Sequence, residues 1–185
     1  MPPHDHRLVP NRRAALAACA GALLLPLAAR AAQYREITWT ELVPPDWDPM
    51  KDLRDLPANM GSLQDTDPRA KELLDKMRAV WDNAPTVPAM SGIDVKLPGY
   101  LVPLEEGKQG IREFLLVPYF GACIHTPPPP SNQILLGRAE KALTGLRSMD
   151  AIWTYGRLEI ERSPSSMGVA GYTMRVAKVE KYREK

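Results

Sequence analysis

A cysteine and a histidine stand two residues apart in this chain. Cys123 and His125 lie in the stretch Gly-Ala-Cys-Ile-His-Thr, directly before four consecutive prolines. In an extended backbone, residues two apart point to the same side, so the thiol and the imidazole can address one shared point. Thiolate sulfur and imidazole nitrogen together suit zinc or copper(I). The spacing therefore predicts a transition-metal site, and we place zinc ahead of copper.

Zinc usually takes four ligands, and this pair supplies only two of them. The sequence after residue 31 contains no other cysteine or histidine. Carboxylates, water or a second copy of the chain would have to complete the site. We name Glu105 and Glu113 as the candidate carboxylates, because they lie at the ends of the two predicted strands that flank the loop. For copper(I), the thioether of Met167 or Met174 is the alternative third ligand.

The segment after the pair is predicted to be stiff, because proline locks φ and lacks a backbone donor. The side-chain amides that follow are expected to anchor the loop. The residues that we expect to shape it are Pro127, Pro128, Pro129, Pro130, Asn132 and Gln133.

Three other interpretations of Cys123 stay open. A nearby histidine can raise the thiolate fraction of a cysteine, which would suit thiol redox chemistry, although only a mixed disulfide with a partner could then form. A Cys–His hydrolase would need a third orienting group and an oxyanion hole. We therefore favour a non-enzymatic protein. The main alternative is a metal-free interaction module of an envelope complex, with the cysteine buried and the proline run as a docking ridge.

The N-terminal segment, residues 1–31, is predicted to be a secretory signal peptide. Arginines at positions 7, 12 and 13 precede a run of small residues and leucines, and small residues surround position 31. We expect export to the periplasm, by the Sec route ahead of the twin-arginine route. The run is short and contains Pro26, so it does not suit a membrane span, and we expect at most peripheral contact with the membrane.

Removal of that segment changes the charge of the chain. Lys+Arg falls from 24 to 20 and Asp+Glu from 22 to 21, so the net charge goes from +2 to about −1. No basic patch remains, which argues against a nucleic-acid partner. Residues 32–185 are long enough to form a single domain with its own core.

One helix is predicted at about residues 67–83. Asp67 and Pro68 suit its first turn. Apolar residues then recur with helical period, which predicts a helix packed on a sheet; they are Leu73, Leu74, Met77, Val80 and Trp81.

Strands are predicted over most of the remaining chain. Apolar and polar residues alternate at 93–97, 100–104, 152–162 and 170–182, and a continuous apolar run at 113–120 predicts a central strand covered on both faces. We also expect a strand at 34–42 and a short helix at 138–149. These patterns predict a mostly β (α+β) protein, with the strands in a small antiparallel barrel or curled sheet.

Blocks of this sequence resemble a family of exported bacterial proteins described only as a domain of unknown function. The blocks are residues 99–105, 113–130 and 132–133, with a further match at 168–174. The most specific part is Gly-Ala-Cys-Ile-His-Thr-Pro-Pro-Pro-Pro, and the resemblance extends roughly from residue 37 to residue 182.

This resemblance implies an envelope protein with an OB-like barrel, the fold of oligonucleotide- and oligosaccharide-binding domains. Some members of the family are thought to neighbour transporter genes linked to metal supply. The resemblance therefore implies a metal-transport accessory role beside an envelope transporter or its substrate-binding component. A homodimer is an open alternative, and the resemblance supplies no activity.

Overall fold

The part of the chain that the computed structural model describes comprises residues 33–51, 68–105, 110–122 and 128–183. It contains eight strands and one α-helix: β1 (Arg35–Glu36), α1 (Pro68–Asp82), β2 (Ile93–Pro103), β3 (Ile111–Val117), β4 (Leu135–Leu143), β5 (Ala151–Glu159), β6 (Ser163–Ser165), β7 (Gly168–Ala170) and β8 (Tyr172–Lys181). Short 3₁₀ turns occupy Trp39–Leu42, Pro88–Met90 and Ser131–Gln133.

Five of the strands close into a barrel. They are paired in the order β2, β3, β4, β8 and β5, and β5 pairs back to β2. The prediction of a mostly β fold with a small OB-like barrel and one helix is confirmed. One seam, between β4 and β8, is parallel, whereas the other four are antiparallel. The prediction of antiparallel strands did not anticipate the parallel β4–β8 pair. A closed barrel of five strands must contain at least one parallel pair, because strand direction cannot alternate all the way around an odd number of strands.

The barrel interior holds the main hydrophobic core. Strand side chains alternate between interior and exterior, as the period-two sequence pattern predicts. The interior residues of β2 and β5 include Val95, Leu97, Leu101, Ile152 and Leu158, and all five have no exposed surface.

Strand β3 is covered on both faces, as its continuous apolar sequence predicts. Phe114 and Leu116 belong to the core inside the barrel. Leu115 and Val117 point to the other side, where a second cluster forms. We call this cluster the small core; it consists of Val102, Leu115, Val117, Ala122, Ile134, Leu136 and Ala170. The small core therefore lies beside the point where the chain leaves β3.

Helix α1 occupies Pro68–Asp82, but the expectation that its apolar stripe packs on the sheet is wrong. None of its side chains is buried, and Leu74 is 63% exposed. The barrel interior is already filled by the side chains of its own strands, so the helix instead faces the hairpin of β6 and β7, across a cavity. No described helix has both the length and the apolar character of a membrane span.

Two further predictions of local structure are wrong. The strand expected at 34–42 is only the two residues of β1, followed by a 3₁₀ turn. The Glu41 carboxylate accepts a hydrogen bond from the Thr38 amide at 2.9 Å and so starts this turn. The first half of the helix expected at 138–149 belongs to strand β4, because pairing with β3 and β8 overrides the helical preference of its alanine, lysine and glutamate residues, and the second half is not helical.

Candidate functional site at the Cys123–His125 loop

The loop that carries the predicted metal ligands is bounded by described residues on both sides. Cys123, His125 and Pro127 themselves lie outside the described residues. The last described residue before the loop is Ala122, and the first after it is Pro128. What the structure describes of the candidate site is therefore how these two flanks are held.

The entry flank is held by the small core. Ala122 has no exposed surface and packs in that cluster. The preceding Gly121 has φ of +85°, a conformation that glycine adopts more readily than other residues. Its amide donates a hydrogen bond to the sulfur of Met149 at 3.3 Å. The chain thus enters the loop from a defined position on the barrel.

The exit flank is held by hydrogen bonds to main-chain carbonyls. Ser131 Oγ donates to Ala84 O at 3.2 Å, and the Ser131 carbonyl accepts from the Gly171 amide at 2.7 Å. Asn132 Nδ2 donates to the carbonyl of Pro85 at 3.0 Å.

A further bond ties the exit flank to the N-terminal 3₁₀ turn. Gln133 Nε2 donates to the Trp39 carbonyl at 2.8 Å. Pro129 is buried, whereas its neighbours Pro128 and Pro130 are half-buried. The flank after the prolines is therefore bound to the segment that follows α1, to the N-terminal turn and to the start of β8.

The two glutamates named as candidate ligands lie at the other end of β3. The Leu104 amide bonds to the Glu113 carbonyl at 3.1 Å, close to the β2–β3 turn, and Glu105 follows directly. From Glu113 to the end of the strand at Val117 the chain advances about 13 Å. The Glu113 carboxylate also accepts a hydrogen bond from Arg138 Nε at 3.1 Å. The structure brings Glu105 and Glu113 near each other, and the Glu113 carboxylate forms an ion pair with Arg138.

The methionines are divided between two environments. Met174 has no exposed surface and lies inside the barrel, whereas Met167 is partly buried against the small core. Met149, which the sequence analysis did not single out, packs against the same cluster and contacts Gly121. This contact joins residues 28 positions apart, and no local sequence pattern indicates it.

Aromatic side chains are exposed just before the loop. Phe120 is 66% exposed and Tyr119 is 45% exposed. The ring of Phe120 meets that of Tyr100 edge-on, with centroids 5.8 Å apart. These residues form an apolar surface, which we call the aromatic patch, at the entry to the loop.

Within the described ranges, no group of three or more His, Cys, Asp or Glu side chains is arranged to hold a metal ion. Every cysteine and histidine of the chain lies outside those ranges. The described residues thus contribute the frame of the candidate site, and its soft ligands would come from the loop.

Comparison with known proteins identifies the family. The model of a family described as "Protein of unknown function (DUF3299)" matches residues 39–181. The crystal structure of a DUF3299 family protein from Pseudomonas aeruginosa PAO1 is 39% identical in sequence, with a TM-score of 0.63, over 83% of this chain and 99% of that chain. No curated protein sequence matches the chain.

A small single-stranded DNA-binding protein from Streptomyces coelicolor aligns with a TM-score of 0.31 and 12% identity, over 50% of this chain and 95% of that one. That likeness is too slight to support an argument. The DUF3299 match, in contrast, covers all five barrel strands and both flanks of the loop. It confirms the resemblance to a family described only as a domain of unknown function, and this chain belongs to the DUF3299 family.

Proposed function

We propose that this chain is an exported, non-enzymatic metal-binding protein of the periplasm, with Cys123 and His125 as its ligating pair and zinc ahead of copper as the metal. The observation that supports this most is the anchoring of both loop flanks. Ala122 is packed in the small core, and residues 131–133 bond to three segments, at Ala84–Pro85, at Trp39 and at Gly171. Fixed ends reduce the ordering cost of bringing two ligands to one point.

The ligand number favours a carrier over a closed structural site. Two protein ligands leave open positions, which water, a second copy or a partner protein would fill. An open site can pass its metal to an acceptor, and this suits an accessory to an envelope transporter or its substrate-binding component. The placement of Glu105 and Glu113 at the far end of β3 gives them less support as ligands than the loop residues have.

Elemental mass spectrometry on the mature protein, purified without chelator or affinity tag, tests the proposal. We expect close to one zinc per chain, or per pair of chains if a second copy completes the site, and its loss in Cys123→Ser/His125→Ala. Glu161→Gln serves as the control, because this carboxylate also pairs with Arg138 and is not a candidate ligand. Absence of metal in the wild type, even after addition of zinc or of copper(I) under reducing conditions, would refute metal binding.

The same experiment distinguishes the two metals. If copper(I) is retained and zinc is not, Met149→Leu and Met167→Leu test whether thioethers beside the loop flanks contribute. Reduced copper retention in either variant would add that methionine to the ligand set. Unchanged copper(I) retention in both variants would mean that Cys123 and His125 are the protein ligands and that neither methionine contributes.

A second candidate function is a metal-free interaction module, and the aromatic patch favours it. Exposed Phe120 and Tyr119 beside an anchored loop would suit a protein contact, including a homodimer. Sedimentation velocity of the wild type and of Phe120→Ser tests the homodimer. A dimer that persists in the variant would rule out the patch as its interface.

A further inference from the structure

A cavity of about 360 Å³ lies between α1 and the β6–β7 hairpin. Leu74, Met77 and Trp81 line it from the helix, at spacings that put them on one face. Pro128 and Val169 line it from the opposite side. The volume is within the range of about 300–1,000 Å³ that is typical of small-molecule sites, and the lining is mainly apolar, as in such sites.

The opposite wall of the cavity is rigid. Gly168 has φ of +134°, and a Cβ at this position would come within 3.0 Å of Pro128 Cβ and 3.1 Å of Ile134 Cδ1. The main chain of the hairpin therefore packs directly against the proline ring. Because no side chain of α1 is buried, the apolar face of the helix remains available to a ligand.

The lining of the cavity contains one cation and one anion, Arg78 and Asp82. Arg78 lines the wall and has no ion-pair partner among the residues that the structure describes. Asp82 also lines it, and the guanidinium of Arg162 donates a hydrogen bond to the Asp82 carbonyl. Arg162 is not part of the lining, but its guanidinium places a second positive charge beside Asp82. The Ser165 hydroxyl donates its hydrogen bond to the Gly168 carbonyl at 2.8 Å, so its proton is not available to a ligand.

We propose that this cavity binds a small amphiphile with one apolar chain and a carboxylate head. The chain would lie against Leu74, Met77 and Trp81, and the carboxylate would bond to Arg78, whose planar group matches its two oxygens. A purely apolar ligand would leave the Arg78 guanidinium unpaired. A cationic ligand would be repelled by Arg78 and could pair only with Asp82, beside which the Arg162 guanidinium lies. This inference uses no residue of the Cys123–His125 pair and does not rest on the proposed metal binding.

Isothermal titration of the mature protein with octanoate, 1-octanol and octylamine tests the proposal. We expect saturable binding of octanoate, with 1-octanol about tenfold weaker and octylamine weaker still, because a hydrogen bond to a charged group contributes about 1.5–3 kcal/mol. Failure of octanoate to saturate, or equal binding of octanoate and 1-octanol, would overturn it.

Three variants locate the site. Arg78→Gln should weaken octanoate about tenfold and leave 1-octanol unchanged. Arg147→Gln makes the same chemical change at an exposed arginine away from the cavity lining and should have no effect. Leu74→Trp should obstruct the cavity and weaken both ligands without unfolding, since Leu74 is 63% exposed. Thermal unfolding of each variant verifies its fold.

Two outcomes would reject this location. Unchanged octanoate binding in Leu74→Trp would place the site elsewhere. A dimer in sedimentation velocity that Leu74→Trp dissociates, with no octanoate binding, would mean that a second copy covers the cavity.

Discussion

The hydroxyl of Tyr172 donates a hydrogen bond to the main-chain carbonyl of Leu42 at 2.8 Å, although the two residues are 130 positions apart in sequence. The same oxygen accepts a hydrogen bond from the Val87 amide at 2.7 Å. Burial raises the pKa of Tyr172, so the hydroxyl stays protonated and can donate throughout the physiological pH range. One side chain at the start of β8 therefore holds the N-terminal turn and the segment after α1 to the barrel.

Tyr172→Phe should destabilise the protein by about 2 kcal/mol. The substitution leaves the buried Leu42 carbonyl and the partly buried Val87 amide without this partner, at a cost of about 1–3 kcal/mol. Urea unfolding measures the change, and Tyr119→Phe, at a 45% exposed site, is the control with an expected effect below about 0.5 kcal/mol. Equal midpoints for the two variants would contradict the role given to the hydroxyl.

Thr154→Val, in contrast, should stabilise the protein by about 1 kcal/mol. Thr154 is fully buried in β5, and its Oγ1 has no hydrogen-bond partner among the described residues. A buried hydroxyl without a partner costs about 1–3 kcal/mol, and valine has nearly the same shape. The same urea experiment measures it; a destabilised variant would indicate that the hydroxyl has a partner after all.

Gly156→Ala should destabilise the protein by about 3 kcal/mol. A Cβ at this position would overlap the main-chain oxygen of Arg175 and come within 2.8 Å of Met174 Cγ. The residue lies at a register shift between β5 and β8, where the two backbones approach closely. Gly145→Ala is the matched control: it has φ of +72° but nothing within 4 Å, so only about 1 kcal/mol of backbone strain is expected. Thermal unfolding that ranks the two variants in reverse would refute the steric argument.

Glu180→Gln should lower the pKa of Tyr155. The Tyr155 hydroxyl donates to Glu180 Oε2 at 2.6 Å, and this hydrogen bond to a carboxylate raises the pKa of Tyr155 to about 12. Without the carboxylate, the pKa should return towards about 10. The tyrosinate absorbance of each protein, minus that of its Tyr155→Phe counterpart, gives the pKa of this residue directly. An unchanged titration would mean that the hydrogen bond does not hold the proton.

The same pair gives a pH dependence of stability. Because the folded-state pKa of Tyr155 is above the unfolded value, the folded state binds this proton more tightly. The resulting stabilisation is complete below about pH 10 and is lost as pH rises from about 10 to about 12. Urea unfolding across this range should show a steeper loss for the wild type than for Glu180→Gln.

The sequence patterns that predicted the fold correctly are those that tertiary contacts reinforce. The continuous apolar run of β3 requires two covered faces, and Phe114 and Leu115 are fully buried on opposite sides. In β3 the local pattern and the packing therefore favour the same structure. Helix α1 ends at Asp82, next to its predicted end at residue 83, although none of its side chains is buried.

The predictions that fail concern segments whose structure depends on residues distant in sequence. The residues of β4 favour a helix in isolation, but two flanking strands supply the hydrogen bonds of a sheet. Nothing local in the sequence reveals that Met149 contacts Gly121 or that Tyr172 bonds to Leu42. Such contacts depend on barrel closure, which residue periodicity alone does not specify.

The position of β8 between β4 and β5 has a consequence for the order of folding. Since β8 comes last in sequence among the five barrel strands, a nascent chain that lacks it has two open sheet edges, on β4 and on β5. Exposed edges of this kind invite pairing with other chains. The barrel can therefore close only after β8 has been synthesised, which makes closure a late step in folding.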